Sequence, residues 1–365
     1  TLDTTVWQKL KSLKLVINLS VKIKKVIVSS QLESLNIETK EVLILITEDK
    51  FINLKILMLT NVDTDCKFVS ATSLSSVKLH NTNIILQDIW TKIKYLDVLN
   101  VRRVPNTYIE LETLSIKNIN LYTIKLNLSD TFVQLKSIEL AYVHKLNLSD
   151  KYVKLQRLKL SYTTEVFLPK TYIDLVYLYV DTNNVILPDT YIKLKDLTIN
   201  QGLKTELHIP TSYTQLRCLS ICYYYYIQLD SFSQFTKLEK LILKWYVIPL
   251  GSSLIKIPDS LSKLRHIEIR NINALTQNVD IVIPPTLTDL YHIEIGQMTT
   301  PLLEHAKWFN IKPLSNLEQL ETLILHGYCK IELPTHLPKL KKLEGIIHSM
   351  IDIGICSKTI KFNHP

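Results

Sequence analysis

With 365 residues, 46% of them apolar, and a formal charge of +9, the chain has material for a large core and is no candidate for intrinsic disorder. It holds only six glycines and no G-x-G-x-x-G or G-x-x-x-x-G-K-[ST] run, which excludes the glycine-built phosphate cradles of nucleotide enzymes. The positive charge comes from scattered lysines interleaved with Asp150, Glu165, Asp174, Asp189 and Asp196, so a nucleic-acid or acidic-membrane partner ranks below a protein partner.

Taken in chain order, the elements repeat. The pattern L-x-x-L-x-L, with Ile or Val allowed, begins at Leu10, Leu32, Leu54, Leu74, Ile93, Leu111, Leu135, Leu155, Leu175, Leu194, Leu216, Leu238, Leu264, Leu290, Leu320 and, imperfectly, Leu340. The mean step is about 22 residues, a period that belongs to stacked repeat architectures. Three residues before each anchor stands a bulky group: Trp7, Phe51, Trp90, Tyr108, Phe132, Tyr152, Tyr172, Tyr191, Tyr213 and Phe235, then Leu261, Leu287, Leu317 and Leu337, with Ser29 and Ala71 as exceptions. This column predicts an internal spine.

A third column, three residues earlier still, reads Pro105, Ser129, Ser149, Pro169, Pro188, Pro210, Pro258, Pro284 and Pro334. Proline there ends an extended stretch, and the Thr-Tyr or Ser-Tyr that follows is expected to open a turn of helix capped by the hydroxyl. Each anchor then predicts one short strand. In Leu175–Asp181, alternation buries Leu178 and Val180 and exposes Tyr177, Tyr179 and Asp181. One such unit cannot bury its apolar face alone, whereas a stack of them shares one core.

These columns resemble the leucine-rich repeat family over essentially the whole chain. The resemblance implies an α/β solenoid, a curved right-handed coil with a parallel sheet on the concave face and short 3-10, extended or helical segments on the convex face. It implies one solenoid over 1–365 of about sixteen repeats, short in 1–245 and longer in 246–365, where there is room for outer helices. "IPDSLSKLRHIEI", "IPPTLTDLYHIEI" and the closing "FNHP" are also similar to the related FNIP repeat, with little change of architecture. One departure stands out. The family carries Asn or Cys at the ninth position, here Asn only at Asn183. Asn instead sits one place earlier, at Asn61, Asn81, Asn100, Asn118 and Asn271, so the side-chain ladder is either shifted or missing.

Signals for chemistry are few. No H-E-x-x-H or C-x-x-C pattern occurs, and the five cysteines are odd in number and irregular in spacing. That pattern points to free thiols in a reducing compartment, cytoplasmic or nuclear rather than secreted. Cys218 and Cys222 stand about 13 Å apart on one predicted strand, too far to share a bond or a metal. Asn18, Asn127 and Asn147 open N-L-S triplets of a kind that chance produces often. His266, His292 and His326, with Glu268 and Glu294 beside the first two, form either a metal-binding or pH-tuned column or plain polar lining of a sheet. No stretch is long and apolar enough for a membrane span.

The residues expected on the solvent side of the central strands are Tyr142, Arg157, Lys159, Tyr162, Tyr177, Tyr179, Asp181, Asp196, Tyr223, Lys240, Lys244 and Trp245, with "CYYYY" at Cys222–Tyr226 nearby. Tyr, Trp and Arg are enriched in binding hot spots; the competing reading is that tyrosine simply favours half-exposed strands. The expectation is a non-catalytic module with a protein ligand on its concave face and with neither cofactor nor metal. The first alternative is the recognition arm of a larger signalling or ubiquitin-ligase-type protein, since the chain opens Thr-Leu-Asp with neither Met nor a signal-like region. The second is a binder of acidic surfaces.

Overall fold

A computed structural model describes residues 2–3, 9–17, 25–47, 51–64, 66–101, 103–118, 125–143, 145–182, 185–201, 207–223, 229–245, 254–271, 278–297, 309–312, 317–327, 329–333, 337–345 and 350–353. Each anchor leads into a strand two residues later. In the first compact unit, Thr1–Leu175, these strands are Ser12–Ile17, Ser34–Thr47, Ile56–Thr64, Ser76–His80, Tyr95–Leu99, Thr113–Lys117, Ser137–Ala141 and Arg157–Thr163. In the second, Val176–Pro365, they are Tyr177–Thr182, Asp196–Gln201, Cys218–Tyr223, Lys240–Trp245, His266–Asn271, His292–Gln297, Thr322–His326 and Lys342–Gly345.

Within each unit neighbouring strands pair in parallel, and the register never drifts between strand starts. Ser34 lies opposite Ile56, Ile56 opposite Ser76, and Ser76 opposite Tyr95. Tyr177 faces Asp196, Asp196 faces Cys218, Cys218 faces Lys240, and Lys240 faces His266. The cause is the fixed phase of the repeat. A slip of one residue would turn the buried pair of each strand to solvent, and Leu178, Val180, Leu197, Ile199, Leu241 and Leu243 are all buried. The chain is thus a parallel β-solenoid.

The bulky column is the spine that the sequence predicts. Phe51, Trp90, Tyr108, Phe132, Tyr152, Tyr172, Tyr191, Tyr213 and Phe235 are all fully buried. The polar tips of its tryptophan and tyrosines fasten their repeats to the ones before. Trp90 Nε1 donates to the Phe68 carbonyl at 3.1 Å, Tyr108 Oη to Gln87 at 3.0 Å, Tyr152 Oη to Ser129 at 2.9 Å, Tyr172 Oη to Ser149 at 3.0 Å and Tyr213 Oη to Pro188 at 2.7 Å.

The hydroxyl expected to cap a helical turn does something else. Thr107, Thr131, Ser212 and Ser260 donate sideways to the carbonyls of Asp88, Asn106, Asp189 and Ser233, at 2.5–2.8 Å. The segment is a pair of tight turns, so no run of helical N–H groups waits there for a cap. The Thr-Tyr pair therefore carries two hydrogen-bond ladders, and these perform the repeat-to-repeat fastening expected of an asparagine ladder.

The outer face also differs from expectation. Among the described residues the one helix is the 3-10 turn Leu229–Phe232. Where the longer repeats leave room for helices, the chain instead builds a five-stranded parallel sheet from Leu254–Lys256, Val279–Val282, Phe309–Ile311, Cys329–Leu333 and Met350–Ile353. These segments are short, rich in Ile and Val, and alternate in burial (Val279 and Ile281 in, Asp280 and Val282 half out), which favours strand over helix. In the first unit Lys125–Asn127, Lys145–Asn147 and Glu165–Phe167 form a similar three-stranded sheet.

Candidate functional site on the outward sheet face

The solvent side of the strands is set by alternation up to the seventh position of each repeat. The eighth position then takes one of two states. In Asn61, Asn81, Asn100, Tyr142 and Tyr162 the backbone is left-handed, with φ of 56°, 51°, 57°, 60° and 53°. That inversion turns the eighth side chain outward and the ninth inward, so Val62, Val143 and Thr163 are buried. In Asn118, Thr182, Trp245 and Asn271 the alternation continues and the eighth side chain is buried.

This choice corrects one expected site residue. Trp245 is 0% exposed: with Lys244 outward on extended backbone, the next side chain must point into the core. The displaced asparagines divide the same way. Asn81 Nδ2 donates to Asn61 Oδ1 at 2.9 Å and Asn61 Nδ2 to the Thr39 carbonyl at 2.5 Å, so a short outward ladder exists one place early. Asn118 and Asn271 turn inward, and among the described residues neither side chain has a hydrogen-bond partner.

In the first unit the inversion brings two expected residues together. Tyr142 and Tyr162 stack with ring centroids 4.7 Å apart and an interplanar angle of 10°, and Tyr162 is 60% exposed. Lys159 Nζ lies 2.9 Å from Glu139 Oε1, with Lys117 at 3.7 Å from the same oxygen, and Arg157 stands exposed at its strand start. A separate cleft of 530 Å³ lies between the loops after Ser76–His80 and Tyr95–Leu99, lined by Leu79, Ile84, Leu86, Val98 and Pro105 among others.

In the second unit Tyr177, Tyr179, Asp181, Asp196, Lys240 and Lys244 are all partly exposed on the outward face. Tyr179 Oη accepts from Asn200 Nδ2 at 2.9 Å. Tyr223 occupies the strand position between Gln201 and Trp245, and Tyr224–Tyr226 lie outside the described residues. Cys218 and Cys222 are half-buried free thiols, pushed above the ordinary thiol value chiefly by burial.

The histidine column resolves into something the sequence shows only in part. His266 and His292 are register partners, and their rings stack at 4.1 Å and 4°. His326 is not in that row; it pairs with Gly296, four residues further along. Glu268 and Glu294, each 8% exposed, form the row between. Lys244 Nζ is 3.1 Å and Arg270 Nε 3.0 Å from Glu268 Oε1, while Arg270 also reaches Glu294, and His326 Nε2 lies 2.6 Å from Glu294 Oε1. Gly296 makes this convergence possible: a Cβ there would sit 2.1 Å from the His326 carbonyl oxygen. Sequence reading missed Arg270 and Gly296, although the seventh-position column Lys244, Arg270, Gly296, His326 was there to be aligned. Among the described residues no cluster of His, Cys, Asp and Glu has metal-binding geometry, and no helix is long and apolar enough to cross a membrane.

No family model matches the chain, and no curated protein is similar to it in sequence. Solved structures are similar in fold. The plant peptide hormone receptor RGFR1 in complex with RGF2 superposes with a TM-score of 0.50 at 17% identity, over 90% of this chain and 58% of that one. The functional domain of InlJ from Listeria monocytogenes gives 0.50 at 17%, over 83% and 65%. A leucine-rich-repeat protein of Leptospira interrogans gives 0.53 at 17%, over 90% and 85%. The chain thus spans less than two thirds of the first two. In-phase anchors, a parallel ladder in constant register and these superpositions together identify the fold as that of a leucine-rich-repeat solenoid.

Proposed function

We propose that this chain is a non-catalytic interaction module that takes a protein ligand on the outward face of its parallel sheet. The observation that carries this reading is the Tyr142–Tyr162 stack. A bulky residue in left-handed backbone costs about 1–2 kcal/mol, and three sister repeats place Asn, which tolerates that backbone, at the same position. The core gains little from the Tyr162 ring, which lies mostly in solvent. What two tyrosines add there is rigid amphipathic contact area at low entropy cost, the quality that makes them binding anchors.

Tyr177, Tyr179, Asp181 and Asp196 offer a comparable mixed surface in the second unit, with Arg157 and Lys159 on the same strand as Tyr162 in the first. RGFR1, which shares the fold, was solved in complex with RGF2. Since this chain spans 58% of that receptor, reading it as the recognition arm of a larger protein is consistent with its length. Cys218, Cys222 and Cys329 carry free thiols, which supports a reducing compartment, cytoplasmic or nuclear, as its place of work.

The test is a cross-linking pull-down from native lysate with the parent chain and with the double variant Tyr142→Asn/Tyr162→Asn. Asn is the residue the fold already uses at this position, so the solenoid is expected to persist. A protein captured by the parent and lost by the variant is the expected result. Equal capture by both, with the fold intact, would remove the stack from the site.

A further inference from the structure

We propose that the outward face formed by Lys240–Trp245, His266–Asn271, His292–Gln297 and Thr322–His326 docks an acidic protein segment, and that docking takes up a proton on the stacked His266–His292 pair. This rests on the reading above that the outward face takes a protein ligand, and it adds the ligand's chemistry and its linkage to pH.

The register lays these strands out as a grid. Its first row is Lys240, His266, His292 and Thr322, its second Ile242, Glu268, Glu294 and Ile324, its third Lys244, Arg270, Gly296 and His326. Both carboxylates are consumed within the grid, Glu268 by Lys244 and Arg270, Glu294 by Arg270 and His326. Lys240 makes no ion pair among the described residues. Its histidines apart, the grid therefore carries one surplus positive charge, that of Lys240 in the first row. The first row is where the two stacked imidazoles lie.

Those imidazoles are held neutral by their surroundings. Burial, the neighbouring ring of His292 and the charge of Lys240 outweigh Glu268 and Glu294 and bring His266 down to about 4; burial also lowers His292, against the pull of Glu294 and Glu268. Each ring has a buried Nε2 with no hydrogen-bond partner among the described residues, and His292 Nε2 stands 3.8 Å from Glu294 Oε2. A proton on either ring is opposed first by burial and then by the positive charge of Lys240, while a carboxylate stands near His292 to receive it. A ligand carboxylate over Lys240 cancels that charge, and an opposite charge at a few ångströms favours the imidazolium. The remaining groups do not compete: on one flank Cys218 and Cys222 stay neutral thiols; on the other Lys342 pairs with Glu344 at 2.9 Å. At the strand starts Glu239 lies 3.4 Å from Arg217, and Glu321 3.0 Å from Lys341, with Arg265 and Tyr291 between them.

The sign follows. The free pair is neutral at pH 7 and the bound pair is partly charged, so acidification from pH 7 to 5 strengthens binding. At pH 5 an aspartate in the ligand is still ionised.

The probe is a decapeptide of alternating Asp and Gly, with Asn replacing Asp in the control peptide, titrated calorimetrically into the full chain in two buffers of different ionisation enthalpy. Expected are about tenfold tighter binding at pH 5 than at pH 7 and net uptake of up to one proton. His266→Gln/His292→Gln should abolish both the uptake and the pH dependence, while Lys240→Gln, a change at a half-exposed site, should weaken binding at every pH. Binding without proton uptake, equal binding of the Asn peptide, or tighter binding of a single-stranded oligonucleotide than of the peptide would each overturn the proposal. Failure of the peptide alone removes this site and leaves the tyrosine reading, whereas an indifferent tyrosine variant in the pull-down with intact proton-coupled binding does the reverse.

Discussion

Replacing Tyr172 by Phe removes one atom from the spine and isolates what the hydroxyl ladder contributes. The Tyr172 ring is fully buried and lies against Tyr152 with centroids 6.5 Å apart, so Phe fills the same space. The loss is the bond to the Ser149 carbonyl at 3.0 Å. That carbonyl keeps the Tyr152 amide at 3.3 Å, so it is not orphaned, and the cost belongs near 1 kcal/mol, about the mean for a net hydrogen bond. Tyr172→Ala also deletes the ring and should cost about 3 kcal/mol or more.

A solenoid does not always unfold in one step, so the assay is amide hydrogen exchange in Ser137–Ala141 and Arg157–Thr163, which reads local opening. About fivefold faster exchange is expected for Phe and more than a hundredfold for Ala. Although Tyr152 Oη goes to a different carbonyl, that of Ser129, the two rings stack and share the Ser149 carbonyl, so Tyr152→Phe and Tyr172→Phe should couple by about 0.5 kcal/mol or more. No change in the Phe variant would refute the ladder and leave strand pairing and apolar packing to tie neighbouring repeats.

Trp245→Ala should cost about 3–5 kcal/mol as a core truncation, while Tyr162→Asn should stay within about 0.5 kcal/mol; a urea series on both variants reverses the assignment of faces if the order is inverted. Gly296→Ala should destabilise by about 2 kcal/mol or more, because the added carbon meets the His326 backbone, and a silent substitution would show that the two strands are not in this register. His266 contributes through pH. Its folded value, about 4, lies below the ordinary unfolded value near 6.5, so its contribution is complete above pH 6.5 and is lost as pH falls through that value toward 4. Chemical denaturation across pH 4–7 should show this decline, and His266→Gln should flatten it.

How much was legible beforehand can be read from particular residues. Leu178 and Val180 face inward as a period of two demands, and Tyr172 is buried because its column never leaves the apolar phase. The repeat, the core and the spine were therefore determined by the sequence, since burying an apolar face is a local and periodic requirement that every copy must meet in the same way. Tyr142, Tyr162 and Trp245 occupy one sequence position and yet end on opposite faces. The sign of φ at the eighth residue decides this, and no side-chain pattern reports it. The Thr131 hydroxyl likewise turned to the neighbouring repeat because a carbonyl was waiting there, a partner brought close only by stacking. The outer segments became strands instead of helices because adjacent repeats presented edges to pair with. The convergence of Arg270 and His326 on Glu294, across the gap left by Gly296, exists only between strands 24 to 32 residues apart in the chain. Periodicity settles what each repeat does for itself, and tertiary structure settles what each does to its neighbour, because those contacts depend on backbone handedness and the spacing between strands.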